Sequence, residues 1–75
     1  MIDKKEILPV KDIRTYIEKD CYGDARKIRG TLEMHYNAVM TLILHMSQSE
    51  REQHAQLFRD YGWNNYADKI LEKSQ

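Results

Sequence analysis

Three histidines, His35, His45 and His54, are the side chains of this sequence best suited to metal binding or proton transfer. A helical metal site needs ligands on a shared face, for example two histidines four residues apart. His35 and His45 are ten residues apart, and Glu50 with His54 is a pairing common on helix surfaces. We therefore predict neither a metal site nor a cofactor. His54 lies on an apolar helix face and is expected to be a packing residue bonded to a backbone carbonyl.

The segment from Arg29 to Tyr36 carries an arginine and a histidine a few residues apart. It resembles the arginine, spacer and histidine signature of HEPN-domain ribonucleases, and the resemblance is confined to residues 29–36. The resemblance implies that Arg29 and His35 act on an RNA phosphate across a helical dimer. No serine, histidine and acid set, glycine-rich phosphate loop or carboxylate pair is evident. We predict no catalytic residues and a protein that is not an enzyme, with the ribonuclease as the weakest alternative.

A basic patch near the start of the second predicted helix contains Arg26, Lys27 and Arg29. Such a patch can contact phosphates, and a third helix after a short turn is typical of helix-turn-helix proteins. However, twelve Lys and Arg balance twelve Asp and Glu, so no overall field attracts the chain to nucleic acid. A nucleic-acid-binding transcriptional regulator is therefore the second hypothesis.

The composition predicts one small domain of 75 residues, with 41% hydrophobic and 32% charged residues. Cys21 is the sole cysteine, which excludes an internal disulfide and favours a reducing compartment. Because no apolar run is long enough for a signal peptide or a membrane span, we expect a cytoplasmic protein without a membrane partner. A domain this small is stabilised only weakly by its own core, so self-association would help it.

Helical periodicity without strand alternation predicts an all-α fold, a bundle of three to four helices around a long helix over about 24–46. The first helix is predicted over about 9–21, and residues 1–8 are either a frayed turn or an extended arm. Asp24 is expected to cap the second helix. Either Ser47 with Glu50 or Ser49 with Glu52 forms a capping box that starts the third.

The third helix is predicted to end at Gly62, with Trp63 packing back on Phe58. A short fourth helix then begins at Asn64 or Asn65.

The second helix carries more apolar side chains than one core-facing stripe requires. Leu32, Val39 and Ile43 form the stripe expected to face the core. The excess is expected to contact a partner protein or a second copy, and consists of Met34, Met40, Leu42 and Leu44. The favoured hypothesis is a non-enzymatic protein-binding module, acting as regulator, adaptor or inhibitor and forming a homodimer through this helix.

Overall fold

Four α-helices form the part of the chain that the computed structural model describes, residues 8–72. They are α1 (Val10–Asp20), α2 (Ala25–Leu42), α3 (Gln48–Asp60) and α4 (Asn64–Glu72), with a 3-10 turn over Ile43–His45. These residues contain no strand, and the predicted all-α bundle is confirmed. The predicted arm, apart from Leu8, lies outside the described residues.

The turn between α1 and α2 uses two residues with positive φ. Tyr22 has φ of 50° and Gly23 has φ of 71°. The side chain of Asp24 then accepts hydrogen bonds from the amides of Arg26, at 2.9 Å, and Lys27, at 3.4 Å. This confirms the predicted cap, which supplies acceptors for two amides that have no partner within the helix.

The long helix ends earlier than predicted, at Leu42 rather than at 46. In a continuing helix, the carbonyl of Ile43 would accept from the amide of Ser47. Instead, that carbonyl accepts from the Arg51 guanidinium, at 3.2 Å and 2.9 Å, and from the Met46 amide, at 3.2 Å. The Ser47 amide donates to the Glu50 carboxylate at 2.8 Å. The start of α3 therefore engages the Ile43 carbonyl and the Ser47 amide, the two groups that would bond to each other in a longer α2.

The capping box at the start of α3 is the one formed by Ser47 and Glu50. The Glu50 amide donates to Ser47 Oγ at 3.1 Å, which completes the reciprocal pair. Ser49 lies inside the helix, where its hydroxyl accepts from Gln53 at 3.3 Å. Of the two predicted boxes, the structure therefore contains the first.

The α3–α4 connection closes with a left-handed glycine, as predicted. Gly62 has φ of 85°, its amide donates to the carbonyl of Arg59, and the Trp63 amide donates to that of Phe58. This pair of bonds is the Schellman arrangement of a helix C-terminus. It brings the Trp63 ring to 6.5 Å from the Phe58 ring, centroid to centroid.

The core contains residues from all four helices and from the 3-10 turn. Leu32, Val39 and Ile43 are buried, which confirms the predicted stripe. The other buried apolar residues are Ile13, Ile17, Cys21, Ala55, Leu57, Phe58, Ala67 and Ile70. Among residues 8–72, no helix combines the length and apolar character needed to cross a bilayer.

Candidate functional site: an apolar cleft and a buried histidine pair

An apolar cleft of about 410 Å³ lies between α1 and α2. Its lining consists of Leu8, Ile13, Tyr16, Thr31, Met34, His35 and Ala38. The α1 residues are three apart and the α2 residues are spaced by three and four, so each helix contributes one face. The small side chains of Thr31 and Ala38 leave room that larger residues would fill.

Exposed apolar side chains form the rim of this cleft. Leu8 is 56% exposed, Tyr16 is 49% exposed and Met34 is 75% exposed. The Thr31 hydroxyl already has a neighbour, since its Oγ1 lies 3.8 Å from the buried Cys21 Sγ. The cleft therefore offers mainly apolar contact area and few polar groups for hydrogen bonding, which is typical of a binding surface for apolar side chains.

His35 connects the cleft to the interior of the bundle. Its Nε2 lies 2.9 Å from Nδ1 of His54 on α3, and each residue is only 6% exposed. One ring nitrogen must donate and the other must accept for this bond to exist. The expected bond from His54 to a backbone carbonyl is therefore wrong, because His35 is its partner.

Both histidines are held in the neutral form. Burial, followed by the nearby His54, lowers the pKa of His35 from 6.5 to about 4. Burial also lowers the pKa of His54, although the negative charge of Glu50 acts in the opposite direction. The buried pair thus disfavours proton uptake near neutral pH.

An aromatic cluster packs against the His35 ring. His35 stacks on Phe58 at 6.1 Å between centroids with an interplanar angle of 23°. Phe58 is fully buried and meets Tyr36 and Tyr66 edge-on, both at 6.0 Å. Because these rings come from α2, α3 and α4, the orientation of His35 depends on how the helices pack.

The four predicted interface residues differ in exposure. Met34 and Leu44 are 75% and 79% exposed, whereas Met40 and Leu42 are half-buried. Met40 packs against the core, so less of its side chain is available to a partner than at Met34 or Leu44. Of the four, Met34 lines the cleft, and Leu44 lies on the 3-10 turn.

The predicted basic patch is exposed, with acidic groups beside it. Arg29 Nε lies 3.7 Å from the Glu33 carboxylate, and Lys27 Nζ lies 5.7 Å from the centroid of the Tyr22 ring. The Asp24 carboxylate accepts from the amides of Arg26 and Lys27. A phosphate bound here would have to compete with Glu33 and approach Asp24, and both effects weaken binding.

Arg29 and His35, the pair suggested by the ribonuclease resemblance, line different cavities. Arg29 lines an open depression with Trp63 and Asn64, whereas His35 lines the cleft. Six residues along a helix correspond to directions about 120° apart. The structure therefore does not bring the two side chains together within one chain.

Sequence reasoning missed the cleft and the histidine pair. The signal for the pair was present: His35 lies between Leu32 and Val39 on the core stripe, and His54 precedes Leu57 by three residues. The signal for the cleft was weaker, namely the small Thr31 and Ala38 on either side of Met34.

Within residues 8–72, no cluster of three or more histidine, cysteine, aspartate or glutamate side chains could hold a metal ion. No family model, curated protein or solved structure matches this chain.

Proposed function

We propose that the protein is a small non-enzymatic interaction module that forms a homodimer through the cleft between α1 and α2. It acts by binding proteins, as a regulator, adaptor or inhibitor. The observation that carries the proposal is the exposed Met34 side chain at the rim of an apolar cavity. A side chain that projects next to a cavity on the same surface can enter the equivalent cavity of a second copy.

Two-fold symmetry is what makes this arrangement suitable for self-association. In a two-fold dimer, each protomer presents the same surface, so Met34 of each enters the cleft of the other. Methionine is unbranched and polarizable, which lets it adapt to an irregular apolar cavity. Tyr16, half-exposed on the opposite side of the cleft, would cover the inserted side chain while keeping its hydroxyl in water.

Charge and size also favour a second copy as the occupant. The chain has a formal net charge of zero, so two copies do not repel each other through a net charge. A stable interface buries about 800 Å² on each partner. The 18 residues of α2 extend for about 27 Å, and α1 contributes the other wall of the cleft, so both helices offer contact surface to a second copy.

The test replaces Met34 with glutamate, because a carboxylate cannot enter an apolar cavity without losing its hydration. Sedimentation equilibrium at tens of micromolar is expected to give a dimer for the wild type and a monomer for Met34→Glu, a weakening of at least about tenfold. Circular dichroism should show unchanged helicity, since Met34 is 75% exposed.

The matched control is Leu44→Glu, because Leu44 is 79% exposed but does not line the cleft. This variant should remain dimeric. A monomeric wild type would contradict the dimer. Dissociation by Leu44→Glu but not by Met34→Glu would move the interface to the 3-10 turn and contradict the role of the cleft.

A further inference from the structure

The buried pair of His35 and His54 can keep its hydrogen bond only in certain protonation states. With both rings neutral, one N–H faces one lone pair across the 2.9 Å between Nε2 and Nδ1. One added proton leaves a donor and an acceptor in place but introduces a charge into a site where each residue is 6% exposed. A second added proton sets N–H against N–H, and the contact cannot persist.

The surroundings offer little to stabilise a positive charge on the pair. Tyr16 on α1 lines the cleft with His35, and the charge of Glu50 on α3 acts on His54. Tyr36 on α2 and Tyr66 on α4 contact Phe58, the ring on which His35 stacks. Tyrosines are neutral at and below neutral pH, and Glu50 is an exposed residue whose carboxylate already accepts from the Ser47 amide.

Two charged groups between α1 and α3 are already paired with each other. Arg14 on α1 forms an ion pair with Asp60 on α3 at 2.7 Å. The Asp60 carboxylate is thus already paired with an arginine. Protonation of the pair therefore places a charge where α2 and α3 meet, with only the exposed Glu50 to offset it.

We propose that the His35–His54 pair makes the packing of α3 on α2 acid-sensitive, so that the closed bundle loses stability as the pH falls from neutral into mild acid. Because His35 also forms part of the cleft wall, acidification disrupts the surface between α1 and α2 together with the α2–α3 contact. The pair thus works as a proton sensor, because its protonation favours the open bundle over the closed one.

The direction of the effect follows from proton uptake. Folding lowers the pKa of both histidines, so below about pH 6.5 the unfolded chain binds more protons than the folded chain. The stabilisation by the neutral pair is complete above that pH and is lost as the pH falls toward about 4, the pKa of folded His35. In this range the unfolding equilibrium constant rises by up to about tenfold per pH unit for each histidine that stays neutral.

Urea unfolding of the full chain at about pH 7.5 and about pH 5 tests the proposal, in a range where most carboxylates remain ionised. The unfolding constant in water should rise at least about tenfold on acidification. The variant His45→Asn, which removes a histidine outside the pair, should show the same rise. A change of less than about twofold in the wild type would overturn the proposal.

The double variant His35→Gln with His54→Asn assigns the effect to the pair. The two amides place polar atoms near the positions of Nε2 and Nδ1, so they can form a hydrogen bond but cannot titrate. Its unfolding constant should be nearly independent of pH over the same range. A dependence equal to that of the wild type would assign the acid sensitivity to other groups and overturn the proposal.

Nitrogen-15 NMR of the histidine rings in the wild type provides a readout that does not depend on the variants folding. In the folded protein at about pH 5.5, His35 and His54 should show the shifts of neutral imidazole. Imidazolium shifts for both residues in a protein that remains folded would show that the pair tolerates protonation. That result would overturn the proposal.

Discussion

The Arg51 guanidinium joins α3 to the end of α2. Its Nε and Nη2 both donate to the carbonyl of Ile43, which has left the α-helical pattern. When a carbonyl that is shielded from water loses a charged donor, part of the free-energy cost of its desolvation is no longer offset. Hydrogen bonds to charged groups contribute about 1.5 to 3 kcal/mol to the free energy of unfolding. Since the bonds are only part-buried, the lower end of that range applies.

Replacing Arg51 with methionine is therefore expected to lower the free energy of unfolding by about 1.5 kcal/mol. Methionine keeps an apolar stem, so the decrease in the free energy of unfolding reflects the lost hydrogen bonds more than lost packing. Urea denaturation measures the change, with Arg26→Met as the control at an exposed arginine. Equal effects of the two substitutions would show that the bonds to Ile43 contribute nothing specific.

Single residues also show where sequence reasoning reached its limit. Helical spacing placed His54 on an apolar face, and the structure buries it. Its partner could not be found in the same way, because His35 lies 19 residues earlier and the contact depends on how α3 is rotated against α2. Periodicity fixes the buried face of one helix but not the register between two helices.

At the scale of the elements, helix boundaries with a local capping signal were more predictable than the end of α2. Asp24 at the start of α2 and Gly62 at the end of α3 act through hydrogen bonds within a few residues of themselves, so their types and spacing were sufficient. Spacing narrowed the start of α3 to a box at Ser47 or at Ser49, and the structure contains the one at Ser47. The end of α2 depends on Arg51, eight residues beyond the carbonyl that it contacts. A stop signal that comes from another helix leaves no local pattern in the sequence.

The α3 capping box predicts a difference between two nearby serines. Ser47→Ala removes the acceptor for the Glu50 amide and should lower the free energy of unfolding by about 1 kcal/mol. Ser49→Ala removes only an exposed contact with Gln53 and should change it by less than about 0.5 kcal/mol. Thermal unfolding followed by circular dichroism distinguishes them, and a larger loss for Ser49→Ala would contradict the assigned cap.

For the whole molecule, the sequence predicted the helical class and that α2 carries surplus apolar surface. It did not predict which of the surplus side chains would lie beside a cleft. Met40 packs against the core. The cleft lies beside Met34, where the small side chains of Thr31 and Ala38 leave a gap between α1 and α2. A gap of this kind depends on the distance between two helices, and no single-helix pattern contains that distance.

The most direct test of the proposed dimer detects contacts between protomers. A sample that mixes isotope-labelled and unlabelled chains would be examined by isotope-filtered NMR near neutral pH. The account predicts a nuclear Overhauser effect from the Met34 methyl group of one protomer to the Tyr16 ring of the other. A dimer whose intermolecular effects involve only residues outside the cleft, or a sample without intermolecular effects at tens of micromolar, would contradict it.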